Sequence, residues 1–275
     1  MIEAAPPGVG VPLFQAYPWL DQVLLLGIAA TRVAFAFVFV PLFSREVMPP
    51  TVRNSIIVSF TLVALSLARD FAPANLTALD WTRMLFKEAA AGAILGLFFG
   101  TVLWAMGAAG EIIDTKVGAT MGQLVDPLSG SSSPLTGTLL SRFAEVVFVS
   151  AGGLTLLVGT LMASYTIWPL GPAPIVVDPR AVTLFEGEFG RFFALAFIFA
   201  TPVLTVLYVI DAALGFLNRF AQSFNVFSMS MPIKAAAAIF VVILILPLLA
   251  QAVIADLGTR EEIATGILSR TGRAP

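Results

Sequence analysis

Three carboxylates and a lysine lie close together near the middle of the sequence, where residue types alone permit acid–base chemistry. They are Glu111, Asp114, Lys116 and Asp126. A pair of carboxylates can act as general acid and general base, but this spacing matches no hydrolase pattern. The chain also has no His and no Cys, which excludes imidazole and thiolate chemistry. We therefore expect no enzyme, no cofactor and no metal site.

These charges belong to a polar stretch, residues 111–138, that lies between two very apolar segments. A loop of this length with many turn-forming residues is either functional or disordered. In a membrane protein, irregular backbone is tolerated at membrane depth only where protein covers it or where it lines a cavity. We predict that the stretch narrows or gates a passage. Its turn-forming residues are Gly118, Gly122, Gly130 and Gly137 with Pro127 and Pro134.

Met121 lies inside this polar stretch. The flexible thioether of methionine can form an adaptable seal around a changing cargo, although filling a core is its more common use. We expect a sealing role for Met121 because its neighbours are polar.

The composition places the chain in a membrane. Of its 275 residues, 58% are hydrophobic and only 12% are charged, and the mean hydropathy is +0.94. These values lie outside the range of soluble globular domains. The net charge of −2 and the lack of any basic run exclude nucleic acid as an expected partner. The first twenty residues have no basic region of the secretory-signal type, so we expect the first apolar run to be a retained anchor.

Six apolar runs are candidates for spanning helices, each of which needs about 20 residues to cross a hydrocarbon core of about 30 Å. The second run is short, so we expect it to be tilted or partly inserted. Pro49 and Pro50 force a turn after the first run, which predicts a helical hairpin. The fold class is therefore an all-α integral membrane protein of about six kinked helices. The runs are 23–43, 54–68, 89–110, 146–170, 192–210 and 235–255.

Arg32 lies at the centre of the first apolar run. A charge there costs about 2.5 kcal/mol or more unless it is paired or reaches water, so we expect the side chain to face protein. Glu88, Glu111 and Asp114 are the candidate partners, and the sequence does not choose among them. Arg32 either lines a conduit or belongs to a structural ion pair.

Gly92, Gly96 and Gly100 recur at a spacing of four within the third apolar run. This spacing puts the three glycines on one helix face, where another backbone can approach closely. We expect them to serve helix packing and not ligand binding.

Residues 211–234 are less apolar than the runs on either side but rich in large side chains. This mixture is typical of the turn of a helical hairpin that packs against a partner protein. The expected partner contacts are Asn218, Arg219, Asn225, Pro232 and Lys234.

The order of these features resembles the T-type component of type III secretion export gates, the SctT/FliR family that includes the flagellar R-type protein. The resemblance covers residues from about 22 to 250. The segments DPLSGSSSPLTG and NVFSMSMPIK resemble the injectisome branch more than the flagellar branch. The matching pieces are Arg32, Pro49-Pro50 to Arg53, Lys87-Glu88, Gly110-Glu111, Gly118, Asp126-Pro127, Ser132 to Pro134, Leu214-Gly215, Asn218-Arg219, Asn225 to Phe227, and Pro232 to Lys234.

The resemblance implies a subunit of a superhelical gate that exports unfolded secreted proteins. Its implied partners are the P-type, Q-type and S-type membrane subunits, the U-type switch protein that wraps around them, and the lipid of the bacterial inner membrane. Part of such an assembly lies above the lipid plane. Residues 22–180 would resemble the P-type subunit and residues 190–255 the Q-type subunit, followed by a polar tail at 256–275. Residues 111–134 would form a plug beneath the narrowest ring of the gate.

A second reading is a small-solute transporter, because transporters also use broken helices around a midplane site. Such proteins often carry paired broken segments in two related halves. Pro202 and Pro247 have no evident counterparts in the first half, which disfavours a transporter.

Overall fold

The computed structural model describes the backbone of residues 18–67, 76–118, 135–172, 179–220 and 226–271, and the side chains of residues 22–66, 76–118, 135–172, 186–220 and 229–263. The described backbone is helical throughout its regular elements and contains no strand. The helices are α1 (Pro18–Phe39), α2 (Pro50–Leu67), α3 (Ala78–Val117), α4 (Leu135–Ser150), α5 (Gly153–Ile167), α6 (Pro179–Phe220) and α7 (Val226–Thr271), with a 3-10 turn at Pro41–Phe43 between α1 and α2.

Four of these helices, α1, α3, α6 and α7, are long and apolar enough to cross a membrane. The pair α4 and α5 adds a fifth span if the two are counted together, and α2 is a shorter apolar helix. The prediction of an all-α membrane protein is confirmed, and the count of six spans was approximate.

The apolar run at 146–170 is not one straight span. It is broken between α4 and α5, whose axes differ by 70°. Gly152 has a φ of 85°, a left-handed conformation that L side chains rarely adopt. At Gly153 a Cβ would lie 2.7 Å from ring atoms of Phe148. The two adjacent glycines therefore permit a turn that the apolar composition did not predict.

The last two helices continue well past their apolar cores. α6 has 42 residues and begins at Pro179, so it includes the polar stretch that precedes the apolar run at 192–210. α7 has 46 residues and runs through Thr271, so most of the expected polar tail at 256–275 is helical. Pro202 and Pro247 lie inside these two helices, where each removes one backbone N–H from the helical ladder.

The chain divides into two compact units, the first made of residues 1–98, 157–178 and 267–275 and the second of residues 99–156 and 179–266. Helix α3 contributes its first half to one unit and its second half to the other. The resemblance implies a different division, in which residues 22–180 resemble the P-type subunit and residues 190–255 the Q-type subunit. That division stays a prediction.

In the first unit, α1 and α3 approach so closely that only glycine fits. A Cβ at Gly92 would overlap the carbonyl oxygen of Arg32, and one at Gly96 would lie 2.5 Å from the carbonyl oxygen of Ala36. Gly100, the third glycine of the series, belongs to the second unit and is also buried. Dispersion between closely packed backbones is a main source of helix association in lipid.

In the second unit, α3 meets α4 through another set of small residues. A Cβ at Gly110 would lie 2.5 Å from Cα of Gly137, and one at Gly107 would lie 2.5 Å from Oγ of Ser141. Helix α3 therefore carries four close glycine contacts, two in each unit. The spacing of glycines in the sequence predicted only the two in the first unit.

The close contact at Gly96 predicts a specific loss of stability. In Gly96→Ala the new methyl group must displace the backbone of α1, so we expect a destabilisation of about 1–3 kcal/mol, the usual cost of overpacking. The measurement is the midpoint of heat-induced aggregation of the protein in detergent extracts of membranes that contain it.

Gly27→Ala is the matched control, because it lies in α1 and a Cβ there has nothing within 4 Å. This variant should be as stable as the wild type or gain about 0.5–1 kcal/mol, since alanine is favoured over glycine inside a helix. Equal midpoints for the two variants would contradict the close packing of α1 and α3.

Candidate functional site

Arg32 lies at the centre of a buried polar cluster in the first unit and is 0% exposed. Its Nε donates to Oε2 of Glu88 at 2.6 Å. Its Nη1 donates to Oγ of Ser164 at 3.0 Å, and its Nη2 donates to the carbonyl oxygen of Trp168 at 2.7 Å. The guanidinium also lies 4.0 Å from the ring centroid of Tyr165. Of the three carboxylates considered from the sequence, Glu88 is thus the partner of Arg32.

Lys87 extends this cluster to the end of α5. Its Nζ donates to the carbonyl oxygens of Pro169 at 2.7 Å and Gly171 at 2.8 Å, and it lies 3.5 Å from Oε1 of Glu88. Both carbonyl groups lie beyond Ile167, the last residue of α5, so no helix supplies them with an N–H donor. Lys87 of α3 and Arg32 of α1 therefore both bind the backbone segment that follows α5.

The cluster has the chemistry of a structural ion pair that is supported by hydrogen bonds. The Glu88 carboxylate faces two basic side chains. The hydroxyl groups of Ser164 and Tyr165 donate to the carbonyl oxygens of Leu161 and Ala29. Because the guanidinium is fully enclosed by this unit, the geometry favours the structural ion pair over the conduit-lining role. Breaking such a pair by removing one partner costs about 3–5 kcal/mol, since the other charge is left buried.

Asp114, in the second unit, binds the start of α4. Its side chain is 5% exposed, and Oδ2 accepts hydrogen bonds from the N–H groups of Thr136 at 2.9 Å and Gly137 at 3.1 Å. The first N–H groups of a helix need such an acceptor, which is usually the residue just before the helix. Here the acceptor comes from the end of α3. It thereby fixes the two helix ends between which residues 119–134 run.

Lys116, two residues further, joins α3 to the last two helices. Its Nζ lies 2.7 Å from Oδ2 of Asp211 and 4.1 Å from the ring centroid of Tyr208. The other oxygen of Asp211 lies 3.2 Å from Nζ of Lys234 in α7. Gly118 follows with a φ of 95°, and a Cβ there would lie 3.4 Å from Cε of Met231. The end of α3 therefore contacts both α6 and α7.

A second charge cluster pairs α6 with α7. Arg191 forms an ion pair with Asp256, and Nη2 of Arg260 lies 2.8 Å from Oε2 of Glu188. Nε of Arg260 lies 3.4 Å from Oδ2 of Asp256, which is four residues earlier in α7. Asp256 and Arg260 are buried. Because Asp211 also pairs with Lys234, charged contacts join α6 and α7 on both sides of their apolar stretches.

Between these clusters, α6 and α7 are poorly covered by the chain itself. In the most apolar stretch of α3, 56% of the residues are buried within the chain, against 28% for α6 and 22% for α7. Lipid or other membrane proteins must cover the remaining apolar surface. Its large exposed side chains include Phe193, Phe197, Ile198, Tyr208, Val209, Phe240, Ile243, Leu244 and Leu248.

The remaining candidates from the sequence are spread out. Glu111, Asn218, Arg219 and Pro232 are exposed on the described helices, and Lys234 is occupied by Asp211 of the same chain. A further seven predicted residues lie outside the described part of the chain: Met121, Gly122, Asp126, Pro127, Gly130, Pro134 and Asn225.

Sequence reasoning missed several of the charged groups that the structure brings together. Asp211 and Asp256 each come directly after an apolar run, and Arg260 follows Asp256 by four residues, which puts both on one helix face. A charge at the end of a span is ordinarily assigned to water, so this signal was not used. Among the described side chains, no group of three or more acidic residues is placed to hold a metal ion.

Comparison with known proteins identifies relatives over most of the chain. The sequence profile named bacterial export proteins, family 1, matches residues 23–259. The chain is 30% identical to the Yop proteins translocation protein T of Yersinia pestis over 222 residues, which are 80% of this chain and 84% of that protein.

Two further relatives cover a similar share. The chain is 32% identical to the surface presentation of antigens protein SpaR of Salmonella typhimurium over 214 residues, 78% of this chain and 79% of that protein. It is 28% identical to the flagellar biosynthetic protein FliR of Bacillus subtilis over 214 residues, 77% of this chain and 82% of that protein.

The buried pair predicts a strongly non-additive response to mutation. Arg32→Met leaves the Glu88 carboxylate buried with its main partner lost, so we expect a destabilisation of about 3–5 kcal/mol. Glu88→Leu should cost a similar amount for the converse reason. The double variant removes both charges and should recover a large part of the loss. The measurement is the aggregation midpoint in detergent extracts for the wild type and the three variants.

Arg83→Met is the control for loss of an arginine, because the Arg83 side chain is 63% exposed and its ion pair with nearby Asp80 is long, at 3.8 Å. It should change stability by less than about 1 kcal/mol. Strictly additive losses in the double variant would contradict a direct Arg32–Glu88 interaction.

Proposed function

Since this chain belongs to the bacterial export proteins, family 1, we propose that it is a structural, non-enzymatic subunit of the membrane export apparatus of a type III secretion system. The observation that carries the proposal is the agreement among its relatives. Relatives named for translocation, for antigen presentation at the cell surface and for flagellar biosynthesis each align with more than three quarters of the chain. A multi-pass helical protein is the architecture that such a membrane role requires.

The charged groups of the described helices support a role in assembly. Arg32, Lys87 and Glu88 are engaged with one another and with the end of α5, and Asp114 is engaged with the start of α4. None of these arrangements places a nucleophile beside a base, which is the constellation that covalent catalysis needs. Their chemistry is that of helix caps and ion pairs.

The proposed partners are P-type, Q-type and S-type membrane subunits, with a U-type switch protein and unfolded secreted proteins as cargo. The sparse coverage of α6 and α7 supports partners within the membrane, because their apolar faces require an apolar neighbour. The exposed positions of Asn218, Arg219 and Pro232 leave them available for such contacts.

We assign the plug to residues 111–134. Residues 111–117, expected as part of a loop, are the last two turns of α3. The support is the fixing of both helix ends: Asp114 holds the start of α4, and Lys116 holds the end of α3 to Asp211. A segment anchored at both ends returns to the same place after displacement, which a reversible closure requires. Met121 would supply the adaptable apolar contact and the glycines the permissive backbone.

The proposed location is the bacterial inner membrane, partly raised above the lipid plane in the assembled gate. The injectisome branch is favoured over the flagellar one, because the segments DPLSGSSSPLTG and NVFSMSMPIK resemble that branch more closely. A small-solute transporter is disfavoured by membership of an export family.

The test compares three strains of the bacterium that encodes the chain: a deletion of its gene, the deletion complemented with the wild-type gene, and the deletion complemented with a gene lacking residues 119–122. We expect the deletion strain to lose type III secretion. The shortened chain should still assemble, but it should raise the leak of small ions across the membrane because the plug no longer fills the passage. Immunoblots of culture medium, affinity purification of the chain and a membrane-potential dye are the readouts.

Normal secretion without the gene would overturn the proposed export role. A shortened chain that assembles, secretes normally and leaves the membrane as tight as before would overturn the plug assignment alone. The complemented wild-type strain sets the reference for all three readouts.

A further inference from the structure

A single carboxylate in α6 joins three helices in the second unit. Asp211 presents one oxygen to Lys116 of α3 at 2.7 Å and the other to Lys234 of α7 at 3.2 Å. Each partner lies near the end of its helix, Lys116 in the last turn of α3 and Lys234 in the first part of α7. The three side chains form a bridge, which we call the Asp211 bridge.

We infer that Asp211 is a positioning residue of the export gate, which holds the last turn of α3 against α6 and α7 and thereby keeps the assembled gate tight. The inference rests on the proposed function. Asp211 itself had no predicted role, although the sequence placed its partner Lys116 in the plug and its partner Lys234 among the contacts with other subunits.

Because of the charges in the bridge, the attraction between α3 and α7 depends on the Asp211 carboxylate. Two ammonium groups share one carboxylate, so the bridge carries a net positive charge. Without the carboxylate, Lys116 and Lys234 would face each other as like charges, and attraction between α3 and α7 would become repulsion. Loss of either lysine alone leaves one favourable pair with Asp211.

Two further contacts join the same elements at the same place. The ring of Tyr208, one turn before Asp211 in α6, lies under the Lys116 ammonium at 4.1 Å from its centroid. Met231, one turn before Lys234 in α7, lies beside Gly118 at the end of α3. The bridge is therefore part of a continuous contact between the end of α3 and the two last helices.

The exposure of the bridge distinguishes it from the buried cluster of the first unit. Side-chain exposure is 27% for Lys116 and 33% for Asp211, whereas Arg32 and Glu88 are both 0% exposed. Partly exposed ion pairs are weak and can open at little cost, while a buried pair resists opening. The chain thus combines a strong, buried ion pair at Arg32 with a weak, partly exposed one at Asp211. Only the weak pair suits a contact that must open when cargo passes.

The experiment introduces Asp211→Asn into the full chain, expressed with its partners in the secreting strain. We expect the chain to assemble in normal amounts while ion leak through the membrane rises about two- to fivefold, the effect of losing a partly exposed ion pair. Asp211→Glu keeps the charge and should restore a tight membrane. Asp80→Asn is the matched control, because it removes a carboxylate from a partly exposed pair with Arg83 in the first unit.

A distance measurement in the purified complex isolates positioning from export. The chain has no cysteine, so cysteines introduced at Thr115 of α3 and Met229 of α7, both exposed, carry the only spin labels on it. The distance distribution between the labels should broaden in Asp211→Asn and return to the wild-type width in Asp211→Glu. A merely stabilising residue would lower the yield of the complex and leave this distribution unchanged.

A wild-type distance distribution and a wild-type leak in assembled Asp211→Asn would overturn the inference, and so would a leak of equal size in Asp80→Asn. If Asp211→Asn does not accumulate, Lys116→Gln removes only the α3 side of the bridge and should show the same changes at smaller size. Normal secretion in the gene deletion strain would instead overturn the proposed function, whatever the label distances show.

Discussion

The burial of charge among apolar helices is the constraint on which this structure depends. An isolated arginine inside a membrane protein is costly, so its neighbours must supply counter-charge and acceptors for its N–H groups. Arg32 obtains them from Glu88 in α3 and from Ser164 and Trp168 near the end of α5. Three segments far apart in the sequence are thereby held in one arrangement. The close approach of α1 and α3 at Gly92 and Gly96 brings the arginine and the glutamate within reach.

The same principle operates with different strength in the second unit. Asp114 supplies the start of α4 with an acceptor that the helix cannot supply itself, and the small residues Gly110 and Gly137 let the two helices come close enough for this contact. Charged contacts at Asp211 and at Asp256 join α6 to α7 on both sides of their apolar stretches. Polar contacts fix the position of each helix end, while apolar surface remains outside for lipid or partners. This division suits a subunit whose helices are held by internal polar contacts and whose apolar outer surface binds lipid or other membrane proteins.

Much of the fold could be predicted from the sequence because composition and run length are direct consequences of the lipid environment. The membrane class, the helical fold and the burial of Arg32 follow from that alone. The choice of Glu88 as its partner does not, because Glu88, Glu111 and Asp114 are equivalent as carboxylates and only packing separates them. The break at Gly152 and the helical continuation past Asp256 were not predicted, for a related reason. The length of an apolar run indicates how much of a helix can face lipid. It gives no information on turns between apolar helices or on charges that pair across helices. Asp211 was missed because a charge that ends a span is ordinarily assigned to water.

The central claim is that this chain is a subunit whose apolar outer surface is completed by other membrane proteins. Native mass spectrometry of the chain, extracted from the membranes of the secreting bacterium in a mild detergent, tests it most directly. The account predicts particles in which the chain is bound to several copies of other small membrane proteins, with little free chain. A chain released as a stable, monodisperse monomer under conditions that preserve other membrane complexes would contradict it.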